Sequence, residues 1–200
     1  NQNGTGDAAK SAKSLLKNFE GFIFILLGDA PLIQRETLGA LHHKARETGL
    51  AVLGFEANNP HGYGRLITND TDLVSEIIED KDCDDAQKSV HLCNAGAFCV
   101  DGRRLFDWLD RIDNQNAQGE YYLTDLASIA KQDGVDCGFV VADEGEVMGI
   151  NSRTQLAEAE NIMQNNLRIQ AMDNGVTLID PQTVYLSADT QIGNDVVIEP

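Results

Sequence analysis

Basic residues are scarce in this 200-residue chain: 15 lysines and arginines face 32 acidic residues, for a formal net charge of −17. Such a surface repels a polyanion and excludes duplex nucleic acid as a partner, while a small phosphate ligand stays compatible if a divalent cation supplies local positive charge. No apolar run is long enough to span a membrane; the stretch at residues 22–27 is far too short. The four cysteines, Cys83, Cys93, Cys99 and Cys137, form no CxxC pair. The four histidines, His42, His43, His61 and His91, show no metal-ligand spacing with them. Both facts argue against a zinc site and for thiols kept reduced in a cytosol. No Ser/His/Asp or Cys/His arrangement is visible, so covalent catalysis is not indicated. The chain also lacks an initiating Met and a targeting segment, opening Asn1-Gln2-Asn3-Gly4, which leads us to expect that something upstream was lost or never present.

What is present fits an ordinary globular protein, with 42% apolar and 6% aromatic residues. The length suffices for one domain, or one domain plus part of another. Glycines and small residues open a helical stretch at 7–18, and six apolar residues at 22–27 end in Gly28 and Asp29. We read the run 22–27 as a strand of a parallel sheet, apolar on both faces because helices cover both sides. A helix over 34–48, ended by Gly49, and an apolar strand over 50–56 would complete a βαβ unit. Turn formers at 58–65 lead into a hairpin-like pair, 64–68 and 73–79. After an acidic loop at 80–87, a strand over 91–100 carries Asn94-Ala95-Gly96 at its middle, the mark of a bulge or a close ligand approach. Helices over 105–112 and 122–132 and a strand over 137–142 follow.

The C-terminal texture differs. A polar helix spans 154–174, and aliphatic residues then recur about every six positions, with Ile192-Gly193-Asn194-Asp195 between. That period suggests hexapeptide β-helix repeats, of which one or two coils are present; such repeats need neighbours to bury a core, so this end also reads as cut.

Chemistry concentrates at strand ends. Open α/β sheets bind ligands beyond the carboxyl ends of their strands, which would set Asp29 against a ligand, and Gly28 would let a phosphate or sugar approach the backbone. The alternative is an ordinary turn with Asp29 capping the next helix. Gly4-Thr5 precedes a helix, Gly64-Arg65 and Glu79 flank the hairpin, and Asn151 precedes the long helix. Asp29 with Asn151 fits the sparse oxygen donor set of Mg²⁺, which keeps waters and substrate phosphates; Asn151 reads equally as a helix N-cap. Arg65 could contact phosphate or be solvated on its hairpin. Thr124 or Asp125 could cap the helix that follows them.

The ordered set GTG, LLGDAPLI, NPHGYGRLI, IIEDKD, CNAG, NAQGEYYLTD and GINSR resembles the bacterial bifunctional N-acetylglucosamine-1-phosphate uridyltransferase and glucosamine-1-phosphate acetyltransferase family, over nearly the whole chain. The resemblance implies an α/β fold: a Rossmann-like mixed sheet of the nucleotide-diphospho-sugar transferase type, followed by the start of a left-handed parallel β-helix. The implied organisation is a uridyltransferase domain at 1–153, lacking its N-terminal part, a linker helix at 154–175 and the β-helix acetyltransferase domain from 176–200. The implied reaction joins UTP and N-acetylglucosamine 1-phosphate into UDP-N-acetylglucosamine and pyrophosphate with Mg²⁺, for cell-wall and lipopolysaccharide precursors, in the cytoplasm.

By motif, Gly4 and Thr5 match the loop at the uracil and sugar portions, and Leu27, Gly28 and Asp29 match the edge where Asp29 would bind metal. Gly64, Glu79 and Asn94 match positions holding the N-acetylglucosamine moiety, and Asn151 matches the second metal ligand. The family's triphosphate-binding LxAGxGTRM loop and its lysine would lie before Asn1. Asp7, Leu27 and Ala95 depart from the usual histidine, tyrosine and threonine. The 200 residues alone are therefore expected to be inactive, and the full-length protein to trimerise through its β-helix and to acetylate glucosamine 1-phosphate from acetyl-CoA. A non-catalytic sugar-nucleotide-binding or assembly module is the alternative, and a degenerate paralogue a third.

Overall fold

Alternate residues of one strand feed two different cores. In β2 (Gly49–Glu56), Leu50 and Val52 point into one apolar cluster while Ala51, Leu53 and Phe55 point into another. Side chains of a strand alternate faces, so both faces of this sheet are covered, as the continuous apolar run requires. The computed structural model that shows this describes residues 3–200, the opening Asn1-Gln2 lying outside the described residues. The chain divides into two compact units, one ending at Val147 and one running from Met148 to Pro200.

The first unit opens with α1 (Thr5–Lys10) and α2 (Lys13–Leu16), followed by β1 (Phe22–Ile25), α3 (Arg35–Thr48) and β2. The single helix expected over 7–18 is interrupted at Ser11, whose hydroxyl donates to the Ala8 carbonyl at 2.7 Å and competes with the helical ladder. Next come β3 (Arg65–Thr68), β4 (Val74–Ile78), α4 (Asp85–Lys88), β5 (Leu92–Asp101), α5 (Gly102–Leu109), α6 (Leu126–Gln132) and β6 (Asp136–Ala142). The sheet order is β4-β3-β5-β2-β6, with β1 on β5. One core packs α5 and α6, with Trp108, Leu105 and Leu126 at its centre; the other packs Leu41 and Ala45 of α3 against the opposite face.

The expectation of a parallel sheet is corrected at β1. This strand pairs antiparallel with β5, Phe22 opposite Asp101 and Ile25 opposite Phe98, and β2 is also antiparallel to β5; among the described residues of this sheet only β2 and β6 pair in parallel. β1 also stops at Ile25, and Phe24, Leu26 and Leu27 are exposed. The run looked uniformly buried because Ile23 and Ile25 reach one core while Phe22 packs on the other, and apolar content cannot say which neighbour a strand bonds.

β5 is the frame of the unit. Its register with β2 shifts between Val52 and Gly54, which face Phe98 and Asn94, so β5 bulges about Gly96 (φ +75°). On its other edge β5 meets β3 at Cys93 and β1 at Phe98–Asp101. The interval between those pairings lies open on that edge.

The second unit carries α7 (Arg153–Asp173). Its buried positions include Gln164 and Arg168, which reach the Leu186 backbone (2.7 and 2.8 Å) and the Pro181 carbonyl (2.7 Å). Beyond it β7 (Thr177–Leu178) and β8 (Val197–Ile198) pair in parallel over a small core of Val176, Leu178 and Val184. Among the described residues no helix is long and apolar enough to cross a membrane.

Candidate functional site

The open interval of β5 gathers residues far apart in sequence. The Asn94 N–H donates to the Gly64 carbonyl at 2.8 Å, and the Asn94 side-chain oxygen accepts from the Gly96 N–H at 2.9 Å. A Cβ on Gly64 would lie 3.4 Å from Glu79 Oε2 and 3.6 Å from the Asn94 Cβ. Gly64, Glu79 and Asn94 thus form one cluster, built by the β3–β4 hairpin delivering the residue before β3 and the residue after β4 beside β5.

Glu79 is held from the other side. The buried Thr124 hydroxyl donates to Glu79 Oε1 at 3.2 Å, leaving Oε2 toward Gly64. Burial pushes the Glu79 carboxyl above the ordinary range; the Thr124 hydroxyl opposes that shift, and the Asp82 and Asp80 carboxylates reinforce it. Thr124 is therefore not the helix cap that its position suggested. Asp125 does stand at the N-cap of α6, but its side chain makes no capping hydrogen bond.

The same segment reaches Gly4 and Thr5. The Leu123 N–H donates to Thr5 Oγ1 at 3.1 Å, and the Gly6 N–H donates to the Tyr121 carbonyl at 2.8 Å. Gly4 has φ +111°, and a Cβ there would lie 2.6 Å from the Tyr121 carbonyl oxygen, so this close approach requires glycine. Upstream, Asn116 folds the amide-rich loop on itself: its side-chain oxygen accepts from the Gln118 and Glu120 N–H groups and its amide donates to the Glu120 carbonyl.

At the far end of the interval, a Cβ on Gly96 would lie 2.4 Å from Leu27 Cδ1, so Leu27 covers this glycine. Gly28 and Asp29 follow as a turn, with nothing within 4 Å of the position a Gly28 side chain would take. Asp29 caps no helix, since the N-cap of α3 is Gln34. Its exposed carboxylate makes no hydrogen bond or ion pair among the described residues. Contacts therefore run in one arc from Gly4 and Thr5 through Thr124, Glu79, Gly64, Asn94 and Gly96 to Leu27, beside Asp29.

Asn151 lies in the second unit, in the turn before α7. Ser152, not Asn151, is the N-cap: Ser152 Oγ accepts from the Gln155 N–H at 3.2 Å, and Gln155 reaches back to accept from the Asn151 N–H at 2.8 Å. The Asn151 side chain is exposed and free of that capping task. Among the described residues no group of three His, Cys, Asp or Glu side chains could hold a metal alone. The exposed side chains of Asp29, in the first unit, and Asn151, in the second, each carry an oxygen that no hydrogen bond among the described residues engages.

Arg65 is a correction. It is neither solvated nor open to a ligand; its side chain is 2% exposed and its Nη2 donates to Asp80 Oδ1 at 3.0 Å, with Nη1 on the Tyr63 carbonyl. An arginine between glycine-rich turns carries no signal of burial in sequence.

Relatives bear on the whole chain. The bifunctional protein GlmU of Paramagnetospirillum magneticum is 46% identical over 200 residues, covering 98% of this chain and 44% of that protein. That of Roseobacter denitrificans is 44% identical over 199 residues, and that of Clostridium beijerinckii 45% over 202, each covering all of this chain and 44% of the relative. The chain is a relative of the GlmU proteins. It spans about 44% of the length of these GlmU relatives, and the GlmU match takes in both of its units. No protein-family model matches. Among solved structures, a nucleoside-diphosphate-sugar pyrophosphorylase from Vibrio cholerae superposes with a TM-score of 0.61 at 12% identity, covering 78% of this chain and 64% of that one. A CMP:2-keto-3-deoxy-manno-octonic acid synthetase complexed with CTP gives 0.60 at 15% identity, over 81% of this chain and 68% of its own. These likenesses establish the mixed α/β fold around which GlmU-type motifs are arranged here.

Proposed function

We propose that this chain carries the sugar-phosphate side of a uridyltransferase site, in a protein that forms UDP-N-acetylglucosamine and pyrophosphate from UTP and N-acetylglucosamine 1-phosphate. The observation that carries this is the arc: residues scattered from Gly4 to Thr124 are linked contact by contact into one series that ends on the open stretch of β5, in a chain related throughout to GlmU. A polar sheet edge with a half-buried carboxylate, a backbone carbonyl and an amide suits a sugar with hydroxyl and acetamido groups, and it fixes position rather than supplying a nucleophile. Gly64, Glu79 and Asn94 would hold the N-acetylglucosamine moiety, and Gly4 and Thr5 the uracil and sugar portions of the nucleotide. Leu27, Gly28 and Asp29 would line the phosphate edge.

In the reaction a phosphate oxygen of the sugar phosphate forms the new bond to the α-phosphorus of UTP, and the bond to the departing pyrophosphate breaks. Asp29 and Asn151 would hold a divalent cation, Mg²⁺ by the chemistry of the donors, which when bound neutralises phosphate charge. That charge is otherwise hard to meet on so acidic a chain.

The second unit fits a start of a β-helix. The support is the return of the chain in parallel at β8 over β7, above a small aliphatic core. We accordingly assign 1–153 to the uridyltransferase domain, 154–175 to a linker helix and 176–200 to the first coil. A homotrimer formed through a longer β-helix, acetyl transfer to glucosamine 1-phosphate and a cytoplasmic location belong to the same proposal for the complete protein.

The test is pyrophosphate release from UTP, Mg²⁺ and N-acetylglucosamine 1-phosphate by the protein expressed from its complete reading frame. Turnover is expected, and its absence in folded protein overturns the proposal in favour of a binding module. Asp29→Asn is expected to lower the rate roughly 100-fold and to raise the Mg²⁺ needed for half-maximal rate. An unchanged Mg²⁺ requirement removes Asp29 from the metal site.

A further inference from the structure

Arg65 is a buried charged side chain with an unmet donor among the described residues: its guanidinium is withdrawn from water, and its Nε has no hydrogen-bond partner there. Burying a charge with an unmet donor is expensive, and buried ion pairs often contribute nothing net to stability. Stability alone therefore accounts poorly for it, and its two anchors are informative. They are the Tyr63 carbonyl and the Asp80 carboxylate, the immediate chain neighbours of Gly64 and Glu79. Arg65 also pairs with Ile78 across the hairpin and with Cys93 on β5, next to Asn94. It thus stands at the junction of the three strands that bring Gly64, Glu79 and Asn94 together.

The turn at 79–82 extends this hub. Glu79 accepts from Thr124, Asp80 holds Arg65, Lys81 donates to Gln118 Oε1 at 2.6 Å, and Asp82 accepts the Ala117 N–H at 3.0 Å. Four consecutive residues thus tie the turn to Thr124, to Arg65 and to the amide-rich loop at Ala117 and Gln118. We infer that the buried Arg65–Asp80 ion pair is a positioning device for the sugar-phosphate pocket, holding the Gly64 backbone and the Glu79 carboxylate at a fixed separation. Neither side chain touches substrate; the pair acts through its neighbours. This rests on the uridyltransferase reading above and adds two residues to which that reading gives no role.

The test separates positioning from folding by kinetics on the complete protein. Asp80→Asn, Arg65→Met and Arg65→Lys are compared with the unaltered protein and with Asp133→Asn, which removes charge from the exposed Arg111–Asp133 pair. Asp80→Asn and Arg65→Met are expected to raise the KM for N-acetylglucosamine 1-phosphate roughly 10- to 100-fold and to leave the KM for UTP within twofold. Arg65→Lys should recover part of that loss, and Asp133→Asn should leave both constants unchanged. An unchanged sugar-phosphate KM in folded Asp80→Asn overturns the proposal, as does an equal rise in both KM values in that folded variant. If Arg65→Met does not fold, the shape-conserving Asp80→Asn decides. If the unaltered protein gives no turnover, the reaction has been misassigned, and direct binding of N-acetylglucosamine 1-phosphate then judges the pair: tenfold weaker binding in Asp80→Asn supports it and equal binding overturns it.

Discussion

Identical carboxyl groups take opposite roles in this molecule according to what surrounds them. Asp101 is held well below its ordinary range by the Arg103 guanidinium, and Asp80 is lowered by Arg65 despite the opposing effect of its burial. Asp125 goes the other way: burial, reinforced by the Asp113 and Glu79 charges, pushes it from 3.8 up to about 6. The sign follows directly. A carboxyl with a raised value in the folded state binds more protons folded than unfolded between about pH 4 and 6, so its contribution to stability is present at low pH and is lost as pH rises through that window. Asp125→Asn should therefore melt like the unaltered chain near pH 4 and be more stable at pH 7, by on the order of 1–2 kcal/mol. Thermal unfolding at the two pH values checks this, and equal shifts at both would mean that Asp125 is not protonated in the fold.

Elements differ in how much of themselves they show in sequence. Helix α3, ended by Gly49 with φ +95°, strand β2 and the β3–β4 hairpin stand close to where apolar period and turn residues put them. The bulge of β5 at Gly96 was legible too, because a glycine within a strand needs a local reason. The partner and direction of β1 were not legible, since a run apolar on both faces looks alike beside any neighbour. The 79–82 turn joins the end of the expected strand 73–79 to the start of the expected acidic loop 80–87, and its partners Arg65, Ala117, Gln118 and Thr124 are all distant in sequence. Candidate residues of the first unit were found through motif order, but the contacts joining them, Thr124 above all, required the fold.

The Leu27–Gly96 approach offers a test at this scale. Gly96→Ala meets both Leu27 and a positive φ and should cost roughly 1–3 kcal/mol in denaturant titration. Adding Leu27→Ala should restore only the share due to collision. Full restoration would show that the backbone conformation at Gly96 is unimportant.

Taken whole, the molecule places its four cysteines in the first unit, all buried and unpaired. They are spread over the β4–α4 turn, both ends of β5 and the start of β6. Burial raises Cys93 and Cys99 to about 11 and Cys137 to about 12, so at neutral pH each is a protonated, shielded and unreactive thiol. The chain therefore contains its own clock for opening of the first unit's sheet. Alkylation under native conditions should modify Cys83, at the rim, well before the other three, whose rates would track opening of β5 and β6. The second unit has no thiol, so its own melting would pass unseen by this clock, and any difference from a circular dichroism transition would time the two units separately.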